Sequence, residues 1–179
     1  MTRALVILSA LVSAASLLVG AARICPTYWT EYNGYCYRHF SRQVTWQEAE
    51  THCEGYVLPS ATDCSEYTTA HLVSIASQTE QDFVYTFFDM NANAEPDARL
   101  WIGLNDISDE GDFVRWSDGT TAYYHNWVPG QPDNSGDEDC VHLTLNQGHQ
   151  HGDKWNDLDC NSDTVCHFMC KGPGRLINL

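Results

Sequence analysis

Positive charge is what this chain has least of. Nine lysines and arginines stand against 24 aspartates and glutamates, a formal net charge of −15. Nucleic acid and anionic membranes are therefore poor partners, since both need a cationic surface. Long apolar runs are equally scarce. The one at residues 4–19 follows Arg3 and ends at Gly20-Ala21-Ala22. It is shorter than the ~20 residues a membrane-spanning helix needs, and no second such run follows. It reads as a secretory leader, residues 1–22, cut behind small residues. Residues 23–179 then form one compact domain. Internal repeats, low-complexity tracts and interdomain linkers are missing. So is any Asn-x-Ser/Thr sequence, which excludes N-glycosylation.

Close cysteine pairs of the zinc-finger kind are also missing. Cys166 and Cys170 are four apart, but no second close pair accompanies them. All eight cysteines (Cys25, Cys36, Cys53, Cys64, Cys140, Cys160, Cys166 and Cys170) lie behind the leader. An even number in an exported chain reads as disulfides. Eight cysteines allow 105 pairings, so counting fixes none of them. No Ser/His/Asp or Cys/His constellation stands apart from these cysteines, which argues against nucleophilic catalysis. Paired acids serve glycoside hydrolysis in other proteins, but no carboxylate here is visibly kept protonated. The chain reads as a binding protein, not an enzyme.

What the chain has in excess is oxygen ligands in one place. Gln131-Pro132-Asp133 is followed by Glu138-Asp139-Cys140 and then by Trp155-Asn156-Asp157-Leu158-Asp159-Cys160. Gln131, Asp133, Glu138, Asn156 and Asp157 offer five side-chain oxygens, three of them from carboxylates. Calcium takes six to eight hard oxygen ligands at roughly 2.3–2.6 Å. The set holds no thiol or imidazole, which disfavours zinc and copper. Acids are also dense between Asp106 and Asp112, although a solvated surface accounts for most acids elsewhere.

Two helices are signalled. Thr45-Trp46-Gln47-Glu48 is a capping box, after which Trp46, Ala49 and Cys53 fall on one face. Ser77-Gln78-Thr79-Glu80 is a second, followed by Phe83, Val84, Phe87 and Phe88 at the spacing of a core-facing stripe. Short strands are expected at 34–40, 100–104, 113–116, 140–145 and 165–170, rich in aromatic and β-branched residues. Between 105 and 160, two short strands interrupt what is otherwise loop. Loops that long are usually functional or disordered. The presence of Trp116, Trp127 and Trp155 argues for order imposed by metal and disulfides.

At these residues the chain resembles a C-type lectin domain. The marks appear in the family's order over residues 25–171. They are the Cys25/Cys36 opening of the long form, Trp46-Gln47-Glu48-Ala49-Glu50 leading to Cys53, and Leu72-Val73-Ser74-Ile75. Trp101-Ile102-Gly103-Leu104, Trp127, Gln131-Pro132-Asp133, Trp155-Asn156-Asp157 and Phe168-Met169-Cys170 complete them. Among members, it is most similar to secreted, acidic invertebrate lectins of the echinoidin kind. The resemblance implies an α+β fold: two helices flanking small antiparallel sheets, a long calcium-stabilised loop region, and disulfide staples. It implies bridges Cys25–Cys36, Cys53–Cys170 and Cys140–Cys160. Cys64 and Cys166 are left over. Cys64 sits in an insertion, residues 57–69, that ordinary members lack. An internal Cys64–Cys166 bridge is the simplest use, and an interchain bond is the rival.

The resemblance also implies a mechanism. A cis peptide before Pro132 turns Gln131 and Asp133 toward one calcium, and Glu138, Asn156 and Asp157 complete the shell. Two adjacent sugar hydroxyls complete the coordination, each bonded to a carboxylate and an amide. Such charge-assisted bonds are about twice as strong as neutral ones. Members with the Gln/Asp order tend toward galactose and N-acetylgalactosamine. Galactose-selective members commonly place a Trp soon after this motif. Here Asn134-Ser135-Gly136-Asp137 follows, with no aromatic. His149 or His151 is a candidate replacement, weighed equally against two solvated loop histidines. Zinc held by those two histidines lacks further ligands. Matching positions for an auxiliary calcium are Asp106, Glu110, Asn134, Glu138 and Asp139. Trp101 and Trp116 are expected in the core, and Trp155 as the anchor that holds Asn156 and Asp157.

The expected function is a secreted, calcium-dependent lectin for galactose-type glycans on cell or microbial surfaces, with a role in innate immunity or agglutination. The rival is a matrix protein whose fold binds protein or calcium mineral. A single site of this kind binds weakly, so homo-oligomers would raise avidity by roughly 10²–10⁴, although the chain has no coiled coil or collagen repeat to build one.

Overall fold

Thr45 opens the first helix as its neighbours demand. In the computed structural model, which describes residues 22–60, 66–93, 95, 97–145 and 152–177, helix α1 spans Trp46–Glu54. The Thr45 hydroxyl accepts from the Glu48 amide at 3.2 Å, and the Glu48 carboxylate accepts from the Thr45 amide at 3.0 Å. Two otherwise orphaned donors are thereby satisfied. Trp46, Ala49, Glu50 and Cys53 form the buried face.

Helix α2 spans Gln78–Asn91. Ser77 accepts from the Glu80 amide, but Glu80 does not return the bond to Ser77. Its carboxylate accepts from the Ala76 amide at 2.9 Å, the Tyr37 hydroxyl at 2.6 Å and the Lys171 ammonium at 2.6 Å. The expected second capping box is therefore half formed, because Glu80 is drawn into a buried ion pair. Val84 and Phe88 of the expected stripe are buried, while Phe83 and Phe87 pack half-buried against the same core.

Twelve strands are described: β1 (Ala22–Ile24), β2 (Thr30–Tyr32), β3 (Tyr35–Ser41), β4 (Val57–Pro59), β5 (Tyr67–Thr69), β6 (His71–Leu72), β7 (Ala98–Asn105), β8 (Arg115–Trp116), β9 (Cys140–Leu145), β10 (Trp155–Leu158), β11 (His167–Pro173) and β12 (Arg175–Ile177). The main sheet runs β10-β9-β7-β11-β3-β2, with β6 also on β11 and β8 on β7. Among the described strands, only the β7–β11 pairing is parallel. Strands β1 and β12 pair separately, as do β4 and β5, which are the two ends of the insertion. The region between 105 and 160 holds three strands, not the two expected. Strand β10 pairs antiparallel with β9, setting Asp157 opposite Val141 and Leu158 opposite Cys140. An amide and an acid in this strand hid its period.

The sheet separates two apolar clusters. One gathers α2, β7, β9 and Trp155; the other gathers α1, Trp101, Phe168 and the Cys53–Cys170 bridge. Gly103 lets β7 approach Leu72 and Ser117 closely. A Cβ there would lie 2.8 Å from the Leu72 carbonyl oxygen and 2.7 Å from the Ser117 hydroxyl, inside contact distance. Bridges Cys25–Cys36, Cys53–Cys170 and Cys140–Cys160 are formed as the resemblance implied. Cys166 has no disulfide partner among the described residues, and Cys64 lies outside them. Residues 1–21 of the expected leader lie outside them too.

Two histidines are expected to make the fold acid-sensitive. His39 of β3 meets His167 of β11 at 3.2 Å between ring nitrogens. Burial, helped by His167, lowers the His39 pKa to about 4. Burial, helped by Arg99, lowers that of His142 to about 3. Both are neutral when folded, whereas the unfolded chain protonates them near 6.5. Their contribution is therefore complete above pH 6.5 and is lost as pH falls toward the folded values. Calorimetric melting should show a lower melting temperature at pH 4.5 than at pH 7. His39→Phe should flatten that dependence; an unchanged slope would contradict this origin.

Candidate functional site

The loop before β9 is tied down by a buried acid from β10. Asp157 is fully buried, and its Oδ2 accepts from the amides of Asp133 at 2.9 Å and Asn134 at 2.8 Å. Trp155, also fully buried, fixes the strand behind it. Its indole donates to Gln81 at 2.9 Å and packs edge-on against Trp116, Tyr124 and Trp127. Trp101 and Trp116 are core residues as expected. The Gln131–Pro132 bond is cis, and Gly130 before it has φ +98°.

This arrangement brings Asp133, Glu138 and Asp157 together, each with a carboxylate oxygen within 4.8 Å of the others. Glu138 is held above its usual carboxylate range by burial and by the charges of Asp157 and Asp133. Asn156 donates to the Asp157 carbonyl at 2.5 Å. Four buried side-chain polar atoms among the described residues have no hydrogen-bond partner: His52 Nε2, Asp106 Oδ1, Gln131 Oε1 and Asp157 Oδ1. Three of the four belong to residues that the sequence put forward as calcium ligands. A buried oxygen without a partner is costly, and a cation removes that penalty. The donors are carboxylate and amide oxygens, so the set fits calcium better than a thiophilic metal.

The residues put forward for an auxiliary calcium are only partly brought together. Glu110 and Asp139 come within 4.8 Å of Asp137, a residue not anticipated. Its signal was the unbroken acidic run from Asp137 to Asp139. Asp137 sits at φ +74°, a turn conformation that sequence spacing does not reveal. Asp106 lies beside this group, its amide bonded to the Asp139 carbonyl and its Oδ2 accepting from Gly111 at 2.7 Å. Burial raises its pKa, with Glu110 and Asp139 adding to the rise. Glu138 belongs to the first cluster. Asn134 bridges the two clusters: its side chain donates to Glu110 at 2.7 Å and accepts from the Glu138 amide at 2.7 Å. His149 and His151 lie outside the described residues.

The Lectin C-type domain family matches residues 42–172. The chain belongs to the C-type lectin family. It is 39% identical to echinoidin of Heliocidaris crassispina over 150 residues, covering 83% of this chain and 97% of that protein. It is 39% identical over 167 residues to the alpha-N-acetylgalactosamine-specific lectin of Patiria pectinifera, covering 87% of this chain and 91% of that one. The crystal structure of the C-type lectin CEL-I from Cucumaria echinata superimposes with a TM-score of 0.66 at 34% identity, covering 87% of this chain and 99% of that one. The fold, the invertebrate-lectin likeness and the three bridges thus stand as expected. The family and these relatives are lectins and not enzymes, in line with the missing catalytic constellation. Among the described residues, no helix is long and apolar enough to cross a membrane.

Proposed function

We propose that this C-type lectin is secreted and binds galactose- or N-acetylgalactosamine-type glycans through calcium, as a recognition or agglutinating protein of innate defence. The observation that carries this reading is the pair of buried, unpartnered oxygens Gln131 Oε1 and Asp157 Oδ1 beside the Asp133–Glu138–Asp157 cluster. Calcium, when bound there, offers coordination positions to two neighbouring sugar hydroxyls. The carboxylates of Asp133 and Glu138 accept from those hydroxyls, and the amides of Gln131 and Asn156 donate to them. The amide-first, acid-second order of Gln131 and Asp133 favours the galactose type. One relative carries that specificity in its name. The auxiliary cluster, with Asp106, Glu110, Asn134, Asp137 and Asp139, serves as a second calcium site that stiffens the loop. Cys64 and Cys166 form a fourth bridge.

Retention on immobilised galactose in calcium, and release by chelator, is the expected result. Retention that persists in excess chelator would reject the mechanism. A glycan array blank for every sugar, with calcium still bound, would favour the matrix-protein reading.

A further inference from the structure

Away from both acidic clusters, a cavity of about 320 Å³ opens between the β4–β5 hairpin, the end of β11 and the turn after β8. Its wall includes Tyr35, Thr68, Thr69, His71, Asp118 and Thr120. None of these belongs to the Asp133–Glu138–Asp157 or Glu110–Asp137–Asp139 group, although His71 forms a third cluster with Glu50 and Glu54 behind the wall. Thr68 and Thr69 come from β5, the C-terminal end of the insertion.

The polar groups here are held in place before any ligand arrives. Glu50, buried beneath the cavity, takes His71 Nδ1 at 2.6 Å, the Leu72 amide at 2.8 Å and the Ser117 hydroxyl at 3.0 Å. The His71 ring, part of the cavity wall, is thereby held through its Nδ1. Asp118 is oriented by Ser74 at 2.6 Å and by the Thr120 amide at 2.8 Å and hydroxyl at 2.5 Å. Lys171, also in the wall, is bound to the Ser74 carbonyl at 2.9 Å and to Glu80 at 2.6 Å. Its ammonium lies 4.4 Å from the Tyr35 ring centroid, and Tyr35 is 46% exposed.

This wiring decides the class of ligand. The two basic side chains are paired internally, Lys171 with Glu80 and His71 with Glu50. Asp118 already accepts three hydrogen bonds. An anion would meet Asp118 and the strongly negative chain. What remains are threonine hydroxyls, an imidazole ring, spare carboxylate lone pairs and an aromatic ring. These suit a neutral molecule with many hydroxyls and an apolar C–H face. A few precisely placed polar groups on a partly apolar wall are what a small-ligand pocket needs, and this volume sits at the low end of the usual ~300–1,000 Å³.

We propose that this cavity is a second, metal-free binding site for a neutral saccharide unit. The ligand class rests on the glycan-binding reading above, but the site does not depend on calcium. Two sites on one chain would let a branched or multivalent glycan engage both, raising avidity without new contacts at either.

Chelator separates the two sites. The ¹⁵N-labelled, oxidised protein is titrated in EDTA with galactose, N-acetylgalactosamine, mannose and glucose, each to high millimolar concentration, and followed by amide NMR. Saturable shifts at Thr68, Thr69, His71 and Thr120 with at least one sugar are expected. They should weaken at least tenfold in Thr68→Trp, whose ring fills the cavity, and persist in Asp157→Asn. Thr120→Trp is the alternative filler should the first variant lose its native spectrum. Absence of shifts at these residues with all four sugars, or shifts that a filled cavity leaves unchanged, would overturn the site. Loss of calcium-dependent retention alone would leave it standing.

Discussion

Asp157→Asn is expected to weaken calcium binding on the order of 10²-fold, from ~3 kcal/mol for one lost charged partner, and to abolish galactose retention. Asp157 does two jobs with two oxygens. Oδ2 holds the Asp133 and Asn134 amides, while Oδ1 is buried without a partner. Asparagine keeps an oxygen for the two amides and puts an NH₂ where the cation would sit. That NH₂ donates to neighbouring carboxylates, so the metal-free variant should melt no lower than the metal-free parent. The same logic fixes the sign for Glu138. Its pKa is raised by burial and by like charges, so the metal-free site destabilises the fold more as pH rises through that value. Calcium removes this repulsion. Calorimetric titration of the variant and the parent checks the prediction. Equal affinities would show that the cluster is not the metal site.

Replacing Cys53 and Cys170 together with alanine should produce the largest stability loss of any single bridge. The two residues are 117 apart in sequence, and both are fully buried. A cross-link closing a loop of ~100 residues contributes about 4.7 kcal/mol by restricting the unfolded chain. A chain of this size loses ~2–4 °C of melting temperature per kcal/mol, so a drop of about 10–20 °C is expected. The bridge also pins the buried face of α1 to β11, next to Trp46 and Phe168. The Cys25–Cys36 bridge spans only 11 residues and should matter less. Scanning calorimetry of the two paired variants compares them directly. A smaller loss for Cys53/Cys170 than for Cys25/Cys36 would contradict the loop-closure account.

Local chemistry was legible where a short stretch decides its own structure. The Thr45–Glu48 cap and β9 (Cys140–Leu145) lie where their residues predict. The gathering of Asp133, Glu138 and Asp157 was foreshadowed because oxygen-bearing side chains crowd a short span. What the sequence hid is settled by distant partners. Glu80 left its capping role because Tyr37 and Lys171 compete for it across the fold. Strand β10 was invisible because Asn156 and Asp157 disguise its alternation, and only β9 pairing reveals it. Asp137 joined Glu110 and Asp139 through a left-handed turn residue, a backbone choice that spacing does not encode. The cavity beside His71 has no sequence signature, since it is assembled from the β4–β5 hairpin, β11 and the turn after β8.

The most direct measurement is isothermal calorimetry of the oxidised, chelator-stripped protein titrated with millimolar calcium. Saturable heat, together with a melting temperature that rises as calcium is added, is the predicted result. A flat titration with no change in melting would mean that the unpartnered oxygens of Gln131 and Asp157 await no cation, and the calcium-dependent reading would fall.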